Sequence, residues 1–152
     1  MDDLVAFIRA RLDEDEASAR AATAGPWRNA PTARHHLTAS GRSEEAVFAA
    51  PRDTGALVVA TTGEARERRN LVNAEHITRH DPARVLREVE AKRQLLALHV
   101  LAEQDDGDSF TTEMCWACDL RSQSQEPFYP CQTLRLLAAV YADHPSYREE
   151  WR

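Results

Sequence analysis

Cys115-Trp116-Ala117-Cys118, then twelve intervening residues, then Cys131: every cysteine of this 152-residue chain falls within seventeen positions. A two-residue gap lets one tight turn deliver two sulfurs to a metal ion, and a tetrahedral zinc site closes with four thiolate, imidazole or carboxylate ligands. Cys115 and Cys118 fit such a knuckle. Cys131 sits where a last helix is expected to begin, and the positive end of a helix dipole favours a thiolate there. The fourth ligand has to be a histidine or an acid. His99 is the expected one. It precedes Cys115 by sixteen positions, follows Leu95 by four on the flank of an apolar stripe, and the Asp105–Asp108 turn can bring the chain back to it.

The other donors fit less well. His144 lies thirteen residues beyond Cys131, which along a helix is ~19 Å. His76 and His80, four apart on one helix face, can chelate as a pair, and Asp119 is an alternative fourth ligand. Cysteines buried as small apolar side chains are the competing reading, but their clustering in a stretch with few apolar residues favours a metal. A staple is also needed. Residues 105–130 hold little regular pattern, and so long a gap is uncommon inside a compact domain unless something fixes it. Residues 105–152 are therefore expected to form a zinc-stapled C-terminal portion of a single domain spanning 1–152.

Working outward, the chain reads as α+β and mostly helical. Residues 2–22 carry Leu4, Ile8 and Leu12 at helical spacing, widened by Val5 and Phe7, and Gly25-Pro26 ends the pattern. Trp27 just beyond is expected to fold back on that stripe as a core plug. Residues 45–50 and 56–61 read as short antiparallel strands around a hairpin-like Pro51–Gly55. Two strands alone are marginal, so they are expected to pack on helices or to recruit a third strand from the weakly patterned 28–40. Helical spacing returns over 64–80, through Leu71, Ala74 and Ile77 with Val72 beside them. Asp81-Pro82 then caps and starts a helix over 82–104, striped by Leu86, Val89, Leu96 and Val100 and widened by Val85 and Leu95. A final helix is expected over 131–142. The tail keeps Tyr147 and Trp151 four residues apart, so it is expected to dock rather than fray.

Composition bounds function. With 43% hydrophobic and 29% charged residues, this is an ordinary globular chain, and about 68–70% of its unfolded surface is expected to be buried. The net charge of −6 disfavours general attraction to nucleic acid. Between Arg66 and Arg93, however, eight basic side chains face five acidic ones. Arg66, Arg68, Arg69 and Arg79, together with the cysteine knuckle, are the candidates if nucleic acid is a partner. No apolar run approaches the ~20 residues of a membrane span, and Met1-Asp2-Asp3 does not open a secretory signal. A cytoplasmic location is the expectation, where clustered cysteines serve as ligands or free thiols more often than as disulfides. There is no serine-nucleophile motif and no glycine-rich phosphate loop. The polar cluster His76, Arg79, His80 and Asp81 reads as an exposed helix end with its cap.

Four segments together carry a resemblance: D-D-L-V-A-F-I-R-A-R-L-D-E-D-E (2–16), G-P-W-R (25–28), N-A-E-H-I-T-R-H-D-P-A-R-V-L-R-E-V-E-A-K-R (73–93) and Y-A-D-H-P-S-Y-R-E-E-W (141–151). The chain resembles a family of short proteins, without assigned activity, from Streptomyces, related actinomycetes and their phages. The G-P-W and N-A-x-x-I arrangement is similar, more weakly, to phage accessory proteins of the Ead/Ea22-like kind. The resemblance implies a bacterial or phage-encoded accessory protein and transfers no catalytic residue.

The expected function is that of a non-enzymatic binding or regulatory accessory protein with a structural Zn2+ held by His99, Cys115, Cys118 and Cys131. An unidentified protein is the expected partner, contacted through Trp116, which a tight knuckle turns outward. Nucleic-acid binding is the alternative. A metal-dependent hydrolase is a second alternative, requiring an open coordination position and a nearby acid.

Overall fold

The computed structural model describes residues 3–29, 36–37, 41, 43–49, 57–105, 111–119 and 129–152. The chain is α+β. Helix α1 (Asp3–Ala21) is followed by strands β1 (Trp27–Asn29), β2 (His36–Leu37), β3 (Ser43–Ala49) and β4 (Leu57–Glu64). Helices α2 (Arg68–Arg79) and α3 (Pro82–Leu98) come next, then strands β5 (Leu101–Asp105) and β6 (Thr111–Cys115), and helices α4 (Trp116–Asp119) and α5 (Gln132–Ala139). Among the described residues no helix is long and apolar enough to cross a membrane. By its contacts the chain divides into two compact units, one of Met1–Glu14 and Val89–Arg152, the other of Asp15–Glu88.

The Asp15–Glu88 unit is built on β3. Along β3, residues 45–47 and Ala49 are buried, a run that breaks strict alternation. Register shifts between Glu45 and Ala46 and between Val47 and Phe48 explain it, because each irregularity re-aims the side chains that follow. β4 pairs antiparallel along β3, with Gly63 opposite Glu45. Gly63 has φ +115°, and a Cβ there would lie 2.7 Å from Asn70 Nδ2. That close approach lets the buried Asn70 donate to Glu64 O at 3.0 Å, while Thr62 Oγ1 donates to Asn70 O at 2.7 Å. These bonds tie α2 to the strand it packs on. The expected third strand exists in two pieces: β1 pairs with Val47–Ala49 and β2 with Ser43 and Glu44. The hairpin-like Pro51–Gly55 lies outside the described residues.

Two readings of this unit are corrected. Trp27 is a half-buried residue of β1 opposite Ala49; its Nε1 donates to Thr23 O at 2.8 Å, and it lines a shallow hollow with Ala19, Ala22, His80 and Pro82. On α2, Ala74 is buried and Leu71 and Ile77 are half-buried as read, but Val72 beside them is exposed and Asn70, which the apolar pattern passes over, is buried. Asp81, however, caps α3 as read: Arg84 N–H donates to Asp81 Oδ1 at 2.8 Å and Val85 N–H to Asp81 O at 3.1 Å.

In the other unit, Leu4, Phe7, Ile8, Leu12, Val89, Leu96, Leu134, Ala138 and Trp151 are buried. The tail docks. Phe7 meets the rings of Tyr141, His144, Tyr147 and Trp151 at centroid distances of 4.9–6.3 Å, and Arg148 Nη1 reaches Asp3 Oδ2 at 2.9 Å. Aromatic contacts of this kind add about 0.5–1.5 kcal/mol each beyond the burial of their area.

The reading of 82–104 as one helix is wrong at its end. α3 stops at Leu98, and residues 101–105 form β5, paired antiparallel with β6 from Leu101 opposite Cys115 to Asp105 opposite Thr111. Asp105 therefore ends a strand and does not terminate a helix. Val100, expected on the helical stripe, lies outside the helix and is exposed, as is Leu95. The turn residues 106–108 lie outside the described residues.

Candidate metal centre

The β5–β6 ladder carries Cys115 at the end of β6 and sets the segment just before β5, with His99, across from it. Because Leu101 faces Cys115, the base of the hairpin places His99, two residues before Leu101, beside the start of the knuckle. Trp116 N–H donates to Val100 O at 3.0 Å and carries the pairing one step past the ladder. The chain then turns at once into α4, which returns Cys118 toward Cys115. Cys131 arrives from the far side as the N-cap residue of α5, with φ −74° and ψ 167°. His99 sits at a bend just past α3, not on the last turns of the helix as expected.

The four side chains converge. His99 Nδ1 lies 3.3 Å from Cys115 Sγ, 3.7 Å from Cys118 Sγ and 3.4 Å from Cys131 Sγ. All four donor atoms lie within 4.8 Å of one another. A tetrahedral zinc ion, with Zn–S of about 2.3 Å and Zn–N of about 2.0–2.1 Å, sets each N···S edge at about 3.6 Å. The three measured edges bracket that value. Cys115 and Cys131 are buried, Cys118 and His99 are half-buried, and all three cysteines are free thiols. The set can hold one metal ion, and it fits a single ion bound by three sulfurs and one imidazole.

The electrostatics of the trio are uneven. Burial pushes the Cys118 thiol up to about 12, and hydrogen bonds and charge from the other two cysteines push the same way. Burial also raises Cys115, partly offset by the backbone of Cys118. Cys131 is buried too, which alone would raise it. The Leu134 backbone N–H, the two neighbouring thiols and the Thr133 N–H outweigh that effect and hold it below its ordinary value. The helix end and the thiols thus favour ionisation of Cys131 over that of the other two. A divalent cation is what allows the other two to ionise beside it.

The remaining candidates are not members of this cluster. The His76 and His80 rings stand 4.4 Å apart with His80 Nδ1 at 2.8 Å from His76 O, on the exposed face of α2. His144 packs edge-on against Phe7 and contacts Arg11. Among the described residues no other group of three or more potential ligands comes together. Asp119 ends α4, but its side chain lies outside the described residues. Trp116 is 56% exposed. Arg66, Arg68, Arg69 and Arg79 are exposed and form no ion pair among the described residues. What sequence reasoning missed is the hairpin itself. Its available signal was the turn-favouring Asp106-Gly107 ahead of the β-branched Thr111-Thr112.

Comparison with known proteins returns no match among curated proteins and none among solved structures. A family model does match, over residues 1–152: the chain belongs to DUF6221, a family of unknown function.

Proposed function

We propose that this protein is a non-enzymatic binding or regulatory protein whose C-terminal residues are held together by one structural zinc ion on His99, Cys115, Cys118 and Cys131. The observation that carries this reading is the equal approach of His99 Nδ1 to three sulfurs, at 3.3–3.7 Å. Such edges suit an ion at the centre and four protein ligands around it. A closed set of this kind contributes folding energy, whereas hydrolytic zinc keeps one position for water. The site also joins what is otherwise weak: a two-stranded hairpin, a one-turn helix and the start of α5. Free thiols in the cluster fit a reducing, cytoplasmic setting. The likeness to short actinomycete and phage proteins supports an accessory role.

Native mass spectrometry before and after chelation tests the proposal. One zinc per chain is expected, with loss of folded-state charge distribution when it is removed. A metal-free mass with unchanged folding overturns it.

A nucleic-acid reading keeps one specific support, the exposed arginines at 66, 68, 69 and 79 without ion-pair partners among the described residues. Binding to duplex DNA or to RNA that weakens steeply with salt, and with reversal of those charges, would favour it. No binding at low salt would remove it.

A further inference from the structure

We propose that the metal knuckle and the base of its hairpin form a docking surface for a basic segment of a partner protein, one that carries Lys or Arg around a large apolar side chain. The inference deepens the binding-protein reading above and rests on it, because the metal is what holds the knuckle rigid.

Two independent observations meet at this place. The first is apolar exposure. Trp116 is 56% exposed although it follows a fully buried ligand, Cys115. Leu98, Val100 and Leu101 are 60%, 45% and 41% exposed. Backbone pairing makes neighbours of three of them: Trp116 N–H bonds to Val100 O, and Leu101 stands opposite Cys115; Leu98 ends α3 two residues before Val100. With ligands on either side of it in sequence, Trp116 is presented from a backbone that cannot draw it inward. A fixed, exposed tryptophan beside aliphatic side chains is the composition of an interface hot spot.

The second observation is charge. Residues 101–119 contain six acidic side chains and no basic one, so the entire net charge of −6 resides there and the rest of the chain is balanced. That asymmetry selects the occupant. A second copy docked symmetrically through the same surface would bring two acidic hairpins together. Nucleic acid and an anionic lipid surface are repelled for the same reason. A basic segment is attracted, its apolar side chain covers Trp116, and an arginine can stack on the indole face. Opposite charge on the two partners speeds association and makes it sensitive to salt.

The test uses the full zinc-loaded chain and fluorescence anisotropy of a labelled twelve-residue probe peptide with arginines around two leucines. Two further peptides have the arginines replaced by glutamate or the leucines by serine. The arginine–leucine peptide is expected to bind, and to bind more weakly as salt is raised. The glutamate version is expected not to bind, and the serine version to bind at least about tenfold more weakly. Trp116→Ser and Glu113→Lys should each weaken binding, Trp116→Ser by about tenfold or more, with zinc content and melting temperature unchanged. The proposal is overturned by no binding of the arginine–leucine peptide, by equal binding of the serine peptide, or by wild-type binding to Trp116→Ser. Self-association in sedimentation velocity that Trp116→Ser abolishes also overturns it, assigning the surface to copies of this chain. Zinc is measured on the same samples: a zinc-loaded chain that binds no peptide refutes the docking surface alone, and a folded chain without zinc refutes the metal reading.

Discussion

At the residue scale the account rests on four donor atoms. Replacing Cys115, whose side chain is fully buried, by serine is expected to abolish stoichiometric zinc and to cost at least about 4 kcal/mol, the range associated with loss of a structural metal. His99→Cys offers a fourth thiolate in place of the imidazole and is expected to retain zinc, which metal analysis of the purified variant checks. His99→Ala should not retain it. Protons report on the same atoms. In the metal-free chain, burial keeps Cys115 and Cys118 protonated well above neutral pH, so their thiols must ionise when metal enters. Zinc uptake at pH 7.5 is therefore expected to release at least about two protons and to weaken as pH falls, since protons compete for the ligands. Calorimetry in buffers of different ionisation enthalpy reads that number, and uptake without proton release would contradict the site. The three cysteines could be read from sequence because spacing and clustering are local properties. His99 was placed correctly as a neighbour in space, but on the wrong backbone.

The reason lies at the scale of elements. Residues 82–98 form a helix whose cap, Asp81, and first residue, Pro82, announce it. Beyond Leu98 the stretch Leu101-Ala102-Glu103-Gln104 is built of good helix formers, so periodicity carried the pattern on. The strand arises from pairing with Thr111–Cys115, a partner across the turn that no local window includes. The same limit explains Asn70, a polar residue that no apolar periodicity marks, whose burial on α2 follows from its bonds to Thr62 and Glu64. Gly63 makes that limit measurable. Gly63→Ala forces a side chain into positive φ and into the Asn70 amide, and is expected to cost about 2–3 kcal/mol in urea unfolding. A change within about 0.5 kcal/mol would show that the Gly63–Asn70 contact holds nothing. In α5, Leu134→Ala removes a fully buried side chain and should cost about 2–5 kcal/mol.

At the scale of the whole molecule, the α+β class followed from segment patterns, and the division into two compact units did not, because it depends on contacts that cut α1 and α3 between residues. The four candidate ligands all lie in one unit. Chelation is expected to speed amide hydrogen exchange in β5, β6, α4 and the first turn of α5, while β3, β4 and α2 keep their protection. Uniform protection throughout would mean that the ion pins nothing. The most direct measurement is X-ray absorption at the zinc edge on the purified, metal-loaded chain. Three sulfurs at about 2.3 Å and one nitrogen at about 2.0–2.1 Å are predicted. A first shell dominated by oxygen and nitrogen, or a folded protein that takes up no zinc at all, would contradict the account.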